Sequence, residues 1–463
     1  MKNLSLKHNK IIIIGFGTIG RAVLPLLLKH IEINSNQIEI ISSNYLNLEF
    51  AEKENVKFNC FELTPDNFEK YLAPKLSPGD LLLNLSVGVS CLDLIKLCHN
   101  LDVLYLDTSN ETWPSQTANN EPLTTFDRRE KLLSYKNQFN KGPTALICHG
   151  ANPGLVTHFT KQALLDIANG SCSQHVSYND EGWGLLAKQN SIRAIHISER
   201  DTQFSNMPRQ LNEYINTWSI EGFLEESAEN AVFAWGSHEE EIPDHFIKRR
   251  LATNKVNMIE LNKAGALIKM ISWVPSFGSF HGFLIPHPEA FSIAELFSYK
   301  DETGFIYHPT VHFVYQPCND ALLSMHDSLV QTNKDFKKRL LFDDIIGGMD
   351  ELGALILRED TSDVYWYGSR LDIDQARNLS PNNNATSLQV AAGVLAGIIW
   401  IYENPNLGLV EPEQVDFKRA LDIASPYLGI CEGYSADWEH HRSSDYLANP
   451  YKWKFSELSV NLI

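Results

Sequence analysis

No CxxC pair occurs in this chain: its seven cysteines, Cys60, Cys91, Cys98, Cys148, Cys172, Cys318 and Cys431, are odd in number and widely scattered. That distribution argues against a disulfide scaffold and against a zinc–thiolate site. HExxH, HxxEH and GxSxG are also missing, and the nearest approach to a metal set, His238, Glu241 and His245, is interrupted by Pro243, so no metal is expected. Basic residues are in deficit, 39 Lys and Arg against 57 Asp and Glu, for a formal charge of −18. Such a surface repels nucleic acid and anionic membranes and tolerates cationic partners. The apolar run at 390–401 falls short of the roughly 20 residues needed to cross a bilayer. Residues 1–10 are polar and lead straight into a strand, without room for a signal peptide. The expectation is a cytoplasmic protein with no nucleic-acid or membrane partner. Repeats and low-complexity tracts are absent as well.

What is present is an ordinary globular balance, 43% hydrophobic and 21% charged over 463 residues, enough for two or three domains. KIIII at 10–14 reads as a strand buried on both faces of a parallel sheet. GFGTIG at 15–20 follows at once, and 21–30 reads as a helix, with Pro25 near its entry. Further strands are expected at 38–42, 80–87, 103–107 and 144–148, with helices at 65–71, 91–98 and 127–138 between them. Alternating strands and helices predict a Rossmann-type doubly wound α/β sheet over 1–152. Residues 153–380 mix helical segments (156–167, 210–218, 320–329) with strand-like ones (267–271, 282–285, 311–315) and predict an α+β domain for substrate and dimer contacts. Within 381–463, the segment 386–401 reads as a buried helix returning to the nucleotide domain, followed by an irregular tail.

GxGxxG between a strand and a helix carries a specific chemistry. Gly15 allows the tight turn, Gly17 the close approach of a pyrophosphate, and Gly20 close helix–strand packing. Thr18 and Ile19 lie in the turn before the helix, whose unpaired N–H groups suit an anion. The second strand ends in Ser42, Ser43 and Asn44, with neither the acid that fixes NAD nor a base for a 2′-phosphate. NAD is favoured over NADP on hydrogen-bonding capacity alone. Three loops at strand ends complete the expected crevice: Asn84 to Gly88 with Ser86, Asp107 and Thr108 to Trp113 with Glu111, and His149 to Gly154 with Asn152 and Pro153.

The central region adds acids beside aromatics: Glu199 and Asp201, Trp218 with Glu221, Glu225 and Glu226, and Trp235 with Glu239 to Glu241. An aliphatic diamine, with ammonium groups about 6 Å apart, suits carboxylates at its ends and an indole face over a cationic centre. Acid runs are also the ordinary composition of solvated faces, Asn152 can close an Asx turn on its own backbone, and a lone tryptophan can simply fill core. From the residues alone the substrate stays open.

Seven segments together narrow it: IIIIGFGTIGRAVLPLLLKH (11–30), LLLNLSVGVS (81–90), LYLDTSNETWP (104–114), ICHGANPGLVTHF (147–159), HISERDTQ (196–203), AWGSHEE (234–240) and HGFLIPHPEA (281–290). With these the chain resembles the bacterial homospermidine synthase family, within the saccharopine dehydrogenase-like group. The resemblance implies an NAD-dependent homodimer. Two putrescines would give homospermidine and ammonia, or spermidine would donate its aminobutyl group and release 1,3-diaminopropane, by internal hydride removal and return. It also implies Trp218 as a cation–π residue with Trp235 as the rival, and Glu199 and Glu226 as anchors for the amine ends. Glu111 would bind the inner amine and Asn152 would lie near the nicotinamide. His287 would relay a proton or position a carboxylate. Gly88 is a departure, standing where some members carry an aspartate. Two other readings stay open. One is a saccharopine- or carboxynorspermidine-type dehydrogenase with exchangeable cofactor, using Arg193, Arg200, Lys269 or Arg370 for a substrate carboxylate. The other is a nonenzymatic NAD(P)-sensing or scaffold protein.

Overall fold

The structure, a computed structural model, describes residues 4–6, 8–115, 117–118, 121–170, 180–239, 247–251, 256–304, 306–331, 335–359, 361–438 and 453–460. The sequence-predicted features at Cys172, Glu240, Glu241, Pro243 and His245 lie outside these residues. The chain forms two compact units, one of residues 1–155 and 374–428, the other of 156–373 and 429–463. The stretch set apart as 381–463 is thus divided between them.

In the first unit, β1 (Ile11–Ile14), β2 (Ile38–Ser42), β3 (Lys57–Cys60), β4 (Leu81–Asn84), β5 (Leu104–Asp107) and β6 (Gly142–Leu146) form a parallel sheet. A further strand, Leu407–Val410, closes the β6 edge, so the order is β3-β2-β1-β4-β5-β6 and then Leu407–Val410. The order reverses between β1 and β4, the switch point at which such sheets bind ligands beyond their strand ends. All four residues of β1 and of β4 are buried, as a strand covered on both faces requires. Helix α1 (Thr18–His30) follows β1 and carries Pro25 inside it, while α2 (Cys91–Asn100) is capped by Ser90, whose hydroxyl accepts the Asp93 N–H.

The helix Ala385–Glu403 lies in the same unit. Its length and apolarity would allow it to cross a membrane, yet nearly all of it is buried, and here it is a core helix. Small residues let it approach closely. A Cβ on Gly393 would lie 2.0 Å from the Gly150 carbonyl oxygen, and one on Gly397 would lie 2.6 Å from a Leu106 methyl.

The second unit is built on an eleven-stranded mixed sheet. At its centre β7 (Ile192–Asp201) runs parallel to Thr310–Gln316 on one side and antiparallel to Met349–Arg358 on the other. The helix expected at 210–218 is instead β8 (Glu213–Asn216), paired in parallel with Lys337–Leu340. Its Glu-Tyr-Ile-Asn stretch is wholly buried, and Tyr and Ile fit a pleated strand better than a helix. Helix α3 (Ile220–Ala228), N-capped by Ser219, comes next. Strand β9 (Gly278–Ile285) then leads to α4 (Glu289–Leu296). We number Thr310–Gln316 as β10 and Met349–Arg358 as β11.

Candidate functional site

The glycine loop meets the requirements of a dinucleotide cradle. Gly15 has φ +85° and a Cβ there would lie 2.7 Å from the Leu85 carbonyl, so only glycine fits between the two strand ends at the switch point. A Cβ on Gly20 would lie 2.9 Å from the Gly15 carbonyl oxygen, whereas one on Gly17 would meet nothing within 4 Å. Thr18 Oγ1 is buried with no hydrogen-bond partner. Open space over Gly17, an unsatisfied hydroxyl and the free N–H groups of the first helical turn together suit a pyrophosphate. Asn47, not anticipated from the sequence, braces the loop: its Nδ2 donates to the Phe16 carbonyl at 3.0 Å, from a residue held at φ +59°. Only the asparagine's tolerance of that backbone region could have signalled it. Of the β2 end, Ser42 is buried and Ser43 exposed.

Two residues expected at the cofactor, Asn84 and Asp107, are bonded within the loops at these strand ends. Asn84 is buried, accepting from Ser86 Oγ at 2.6 Å and donating to Tyr105 Oη at 3.4 Å. Asp107 is also buried, and its Oδ1 accepts the Cys148 N–H at 2.6 Å. Burial pushes the Asp107 carboxyl up to about 7, against the opposing pull of that N–H. The 149–154 turn is closed by the Gly150 N–H to the Pro153 carbonyl at 2.7 Å and by His149 Nδ1 against the Gly393 carbonyl at 3.0 Å. Thr108, Asn152 and Pro153 stand on the loops so positioned, Asn152 half-buried. Glu111 is half-buried and bound locally: Oε2 accepts the Gly88 N–H at 3.0 Å and Oε1 the Ser109 hydroxyl at 3.1 Å. Gly88, at φ +75°, thus supplies a backbone donor to Glu111. Trp113 is core, its Nε1 donating to Asp93 at 2.8 Å.

The second unit gathers most of the charge-bearing candidates on one sheet face. Side chains alternate along a strand, and the register places Glu199 between Tyr315 and Leu352, and Asp201 opposite Asp350. Asp201 Oδ1 accepts the Gln203 N–H at 2.8 Å, and Oδ2 accepts Thr217 Oγ1 at 2.7 Å. Burial raises the Asp201 carboxyl to about 6. The Thr217 bond ties the turn carrying Trp218 to β7. Trp218 is half-buried and its Nε1 donates to Tyr315 Oη at 3.2 Å. Phe223 touches both rings, with centroids 5.6 Å from Trp218 and 5.8 Å from Tyr315. Gly222 leaves room for the indole, since a Cβ there would lie 3.1 Å from Trp218 Cζ3.

Next along this face, Phe313 stacks on Tyr315 at 5.5 Å and lies 4.9 Å from the His287 ring. His287 Nδ1 lies 2.8 and 2.7 Å from the two oxygens of Glu289, and Nε2 lies 3.7 Å from Glu226 Oε1. Burial alone would lower the His287 pKa. The two carboxylates outweigh it and hold the imidazole well above its usual range, hence protonated. Tyr315, Glu289 and Asp350 are contributions that sequence reading missed. All three sit in recognisable strand or helix-start segments, but their convergence depends on sheet register.

Trp235 does not join this face. It packs with Phe233 at 6.1 Å and Phe455 at 5.8 Å against the core on the other side of the sheet, where Phe233 also meets His312. Its neighbour Glu239 accepts from Thr310 Oγ1 at 2.6 Å. Of the basic residues considered for a substrate carboxylate, Arg193 pairs with Glu359 and Arg370 with Glu351, while Arg200 lies over the Phe277 ring. Lys269 lies 6.0 Å from the Phe283 ring.

Residues 11–146 match the family profile described as the saccharopine dehydrogenase NADP binding domain, and residues 150–435 match the saccharopine dehydrogenase C-terminal domain. The chain is 37% identical to the homospermidine synthase of Mesorhizobium japonicum over 441 residues, 92% of this chain and 90% of that one. It is 37% identical to the homospermidine synthase of Blastochloris viridis over 439 residues, 92% of this chain and 91% of the other. The crystal structure of the homospermidine synthase from Legionella pneumophila in complex with NAD covers all of both chains with a TM-score of 0.91 at 38% identity. Extended similarity at this level, over both units, places the chain in the homospermidine synthase family within the saccharopine dehydrogenase-like group.

Proposed function

We propose that this chain is an NAD-dependent homospermidine synthase, joining two putrescines with release of ammonia or moving the aminobutyl group of spermidine with release of 1,3-diaminopropane. The observation that carries this is the face holding Glu199, Asp201, Asp350, Tyr315 and Trp218, in a chain 37% identical to two homospermidine synthases. NAD+, when bound, would supply reversible hydride acceptance, so that a hydride removed from the amine-bearing carbon and restored leaves no net oxidation. In the nucleotide unit, Gly15, Gly17, Thr18, Ile19 and Gly20 would hold the pyrophosphate. Ser42 and Ser43 would meet the ribose, and Ser86, Thr108, Asn152 and Pro153 would line the nicotinamide end. Glu111 of that unit is assigned to an amine.

In the second unit Glu199 and Glu226 would pair with ammonium ends, and the Trp218 face would stabilise the positive charge that develops as the imine forms. His287, held as an imidazolium by Glu289, would keep Glu226 oriented through Nε2 and could hand it a proton. A dehydrogenase acting on carboxylated substrates would need basic groups turned to this face. Arg200 alternates away from it along β7, and Arg193 and Arg370 are engaged in ion pairs. The reading carries with it a homodimer in the cytoplasm, the former checked by sedimentation.

The decisive assay supplies the protein with putrescine and a catalytic amount of NAD+. Homospermidine and ammonia should form in equal amounts without accumulation of NADH. NADH released in proportion to putrescine consumed would overturn the proposal in favour of an ordinary dehydrogenase.

A further inference from the structure

Indole is a donor only, through Nε1–H. The 3.2 Å contact between Trp218 Nε1 and Tyr315 Oη therefore has a single sense: the phenol oxygen accepts. Tyr315 is buried, and burial together with the charges of Glu199, Asp201 and Asp350 pushes its pKa well above the usual range, so it keeps its proton. Glu199 is the cross-strand neighbour of Tyr315 on this face, so the phenol lies among carboxylates. The ring itself has little freedom. Phe313 stacks on it at an interplanar angle of 16° and Phe223 meets it edge-on at 77°.

We propose that Tyr315 is the positioning residue of the substrate face: its hydroxyl fixes the tilt of the Trp218 indole and, polarised by the neighbouring carboxylates, increases the negative charge that the indole face offers to a cationic carbon. This rests on the proposed function for its substrate, but not for its geometry. A hydrogen bond in a low-dielectric site is polarised by nearby charge, and ring electron density governs cation–π attraction. Apart from this bond the half-buried indole is held by van der Waals contact with Phe223 and Gly222, which do not fix its N–H. Tyr315 touches the indole rather than the reacting atoms, so its removal should act on turnover more than on amine binding.

The experiment is a double-mutant cycle with a spectroscopic arm. Y315F removes one oxygen and keeps the ring, and W218F removes the N–H and keeps an aromatic face. In the Trp218 protein, Y315F should lower kcat about three- to tenfold, the worth of one hydrogen bond, with KM for putrescine changed less than about twofold. In the W218F background the same change should alter kcat less than about twofold, because no N–H remains to be held. Equal losses in both backgrounds would overturn the proposal and leave Tyr315 a packing residue. Independently of turnover, protein labelled with 15N-tryptophan should show the Trp218 indole N–H resonance, assigned by its loss in W218F, move upfield in Y315F. An unmoved resonance would also overturn it. If the unsubstituted enzyme makes no homospermidine, the proposed function fails, and the indole resonance still decides the role of Tyr315.

Discussion

Replacing Gly17 by alanine separates folding from cofactor binding. The residue has a negative φ, −79°, and its added Cβ would meet nothing within 4 Å. Gly17 is also the N-cap of α1 and makes no side-chain bond there, so the exchange should cost the fold no more than about 1 kcal/mol. The methyl would instead enter the space assigned to the pyrophosphate. Overfilling a close contact costs about 1–3 kcal/mol, a loss of roughly 5- to 150-fold in NAD affinity. Gly20 provides the contrast: a Cβ there would lie 2.9 Å from both the Gly15 carbonyl oxygen and the Phe16 ring, so G20A should lose stability and affinity together. Calorimetric titration with NAD and urea denaturation of G17A and G20A read the two effects apart. G17A with unchanged NAD affinity would refute the cradle. G17A as unstable as G20A would refute the open space above the turn.

Glu289→Gln should cost about 2–4 kcal/mol near pH 6 by depriving a buried imidazolium of its charged partner. His287 is held above its ordinary value, so its contribution is complete below that value and is lost as pH rises through the raised one. In E289Q that loss should begin at lower pH, and denaturation midpoints measured across pH check it; parallel curves for the two proteins would contradict it. Trp218→Phe should retain more activity than Trp218→Ala, by about threefold or more, because a weaker ring face remains; equal kcat values would remove the cation–π role. Gly393→Ala should destabilise despite alanine's better helix propensity. Its methyl would lie 2.0 Å from the Gly150 oxygen, a clash worth about 1–3 kcal/mol or more against the roughly 1 kcal/mol gained. A raised melting temperature would show that the helix can retreat at no expense.

The glycine turn, the parallel sheet and the returning helix were legible because each leaves a local signature: β-branched runs, positive-φ glycine, and a long apolar stretch interrupted by small residues. Trp218 stands out as a candidate, but the helix expected around it is a strand at 213–216, held by pairing with Lys337–Leu340 and by the Ile215 N–H to Ser324 Oγ, both more than a hundred residues away. Tyr315 lies 116 residues from Glu199 and Asp350 lies 149 from Asp201, and nothing local marks them. Asn84 and Asp107 show how a loop uses the polar residues at its base. Both stand at strand ends as expected, and both are buried and bonded within the loops they shape, a part that burial, invisible in one sequence, reveals. The choice between the two tryptophans was likewise a question of sheet face.

The first unit borrows its last strand and its longest helix from residues some 240 or more positions downstream of β6. A ribosome therefore releases six strands of the parallel sheet with the Gly142–Leu146 edge unpaired, and keeps it so until Leu407–Val410 emerges. At about 5–20 residues per second that interval lasts on the order of tens of seconds. A fragment ending at residue 155 would inherit that exposed edge permanently and should aggregate rather than bind nucleotide.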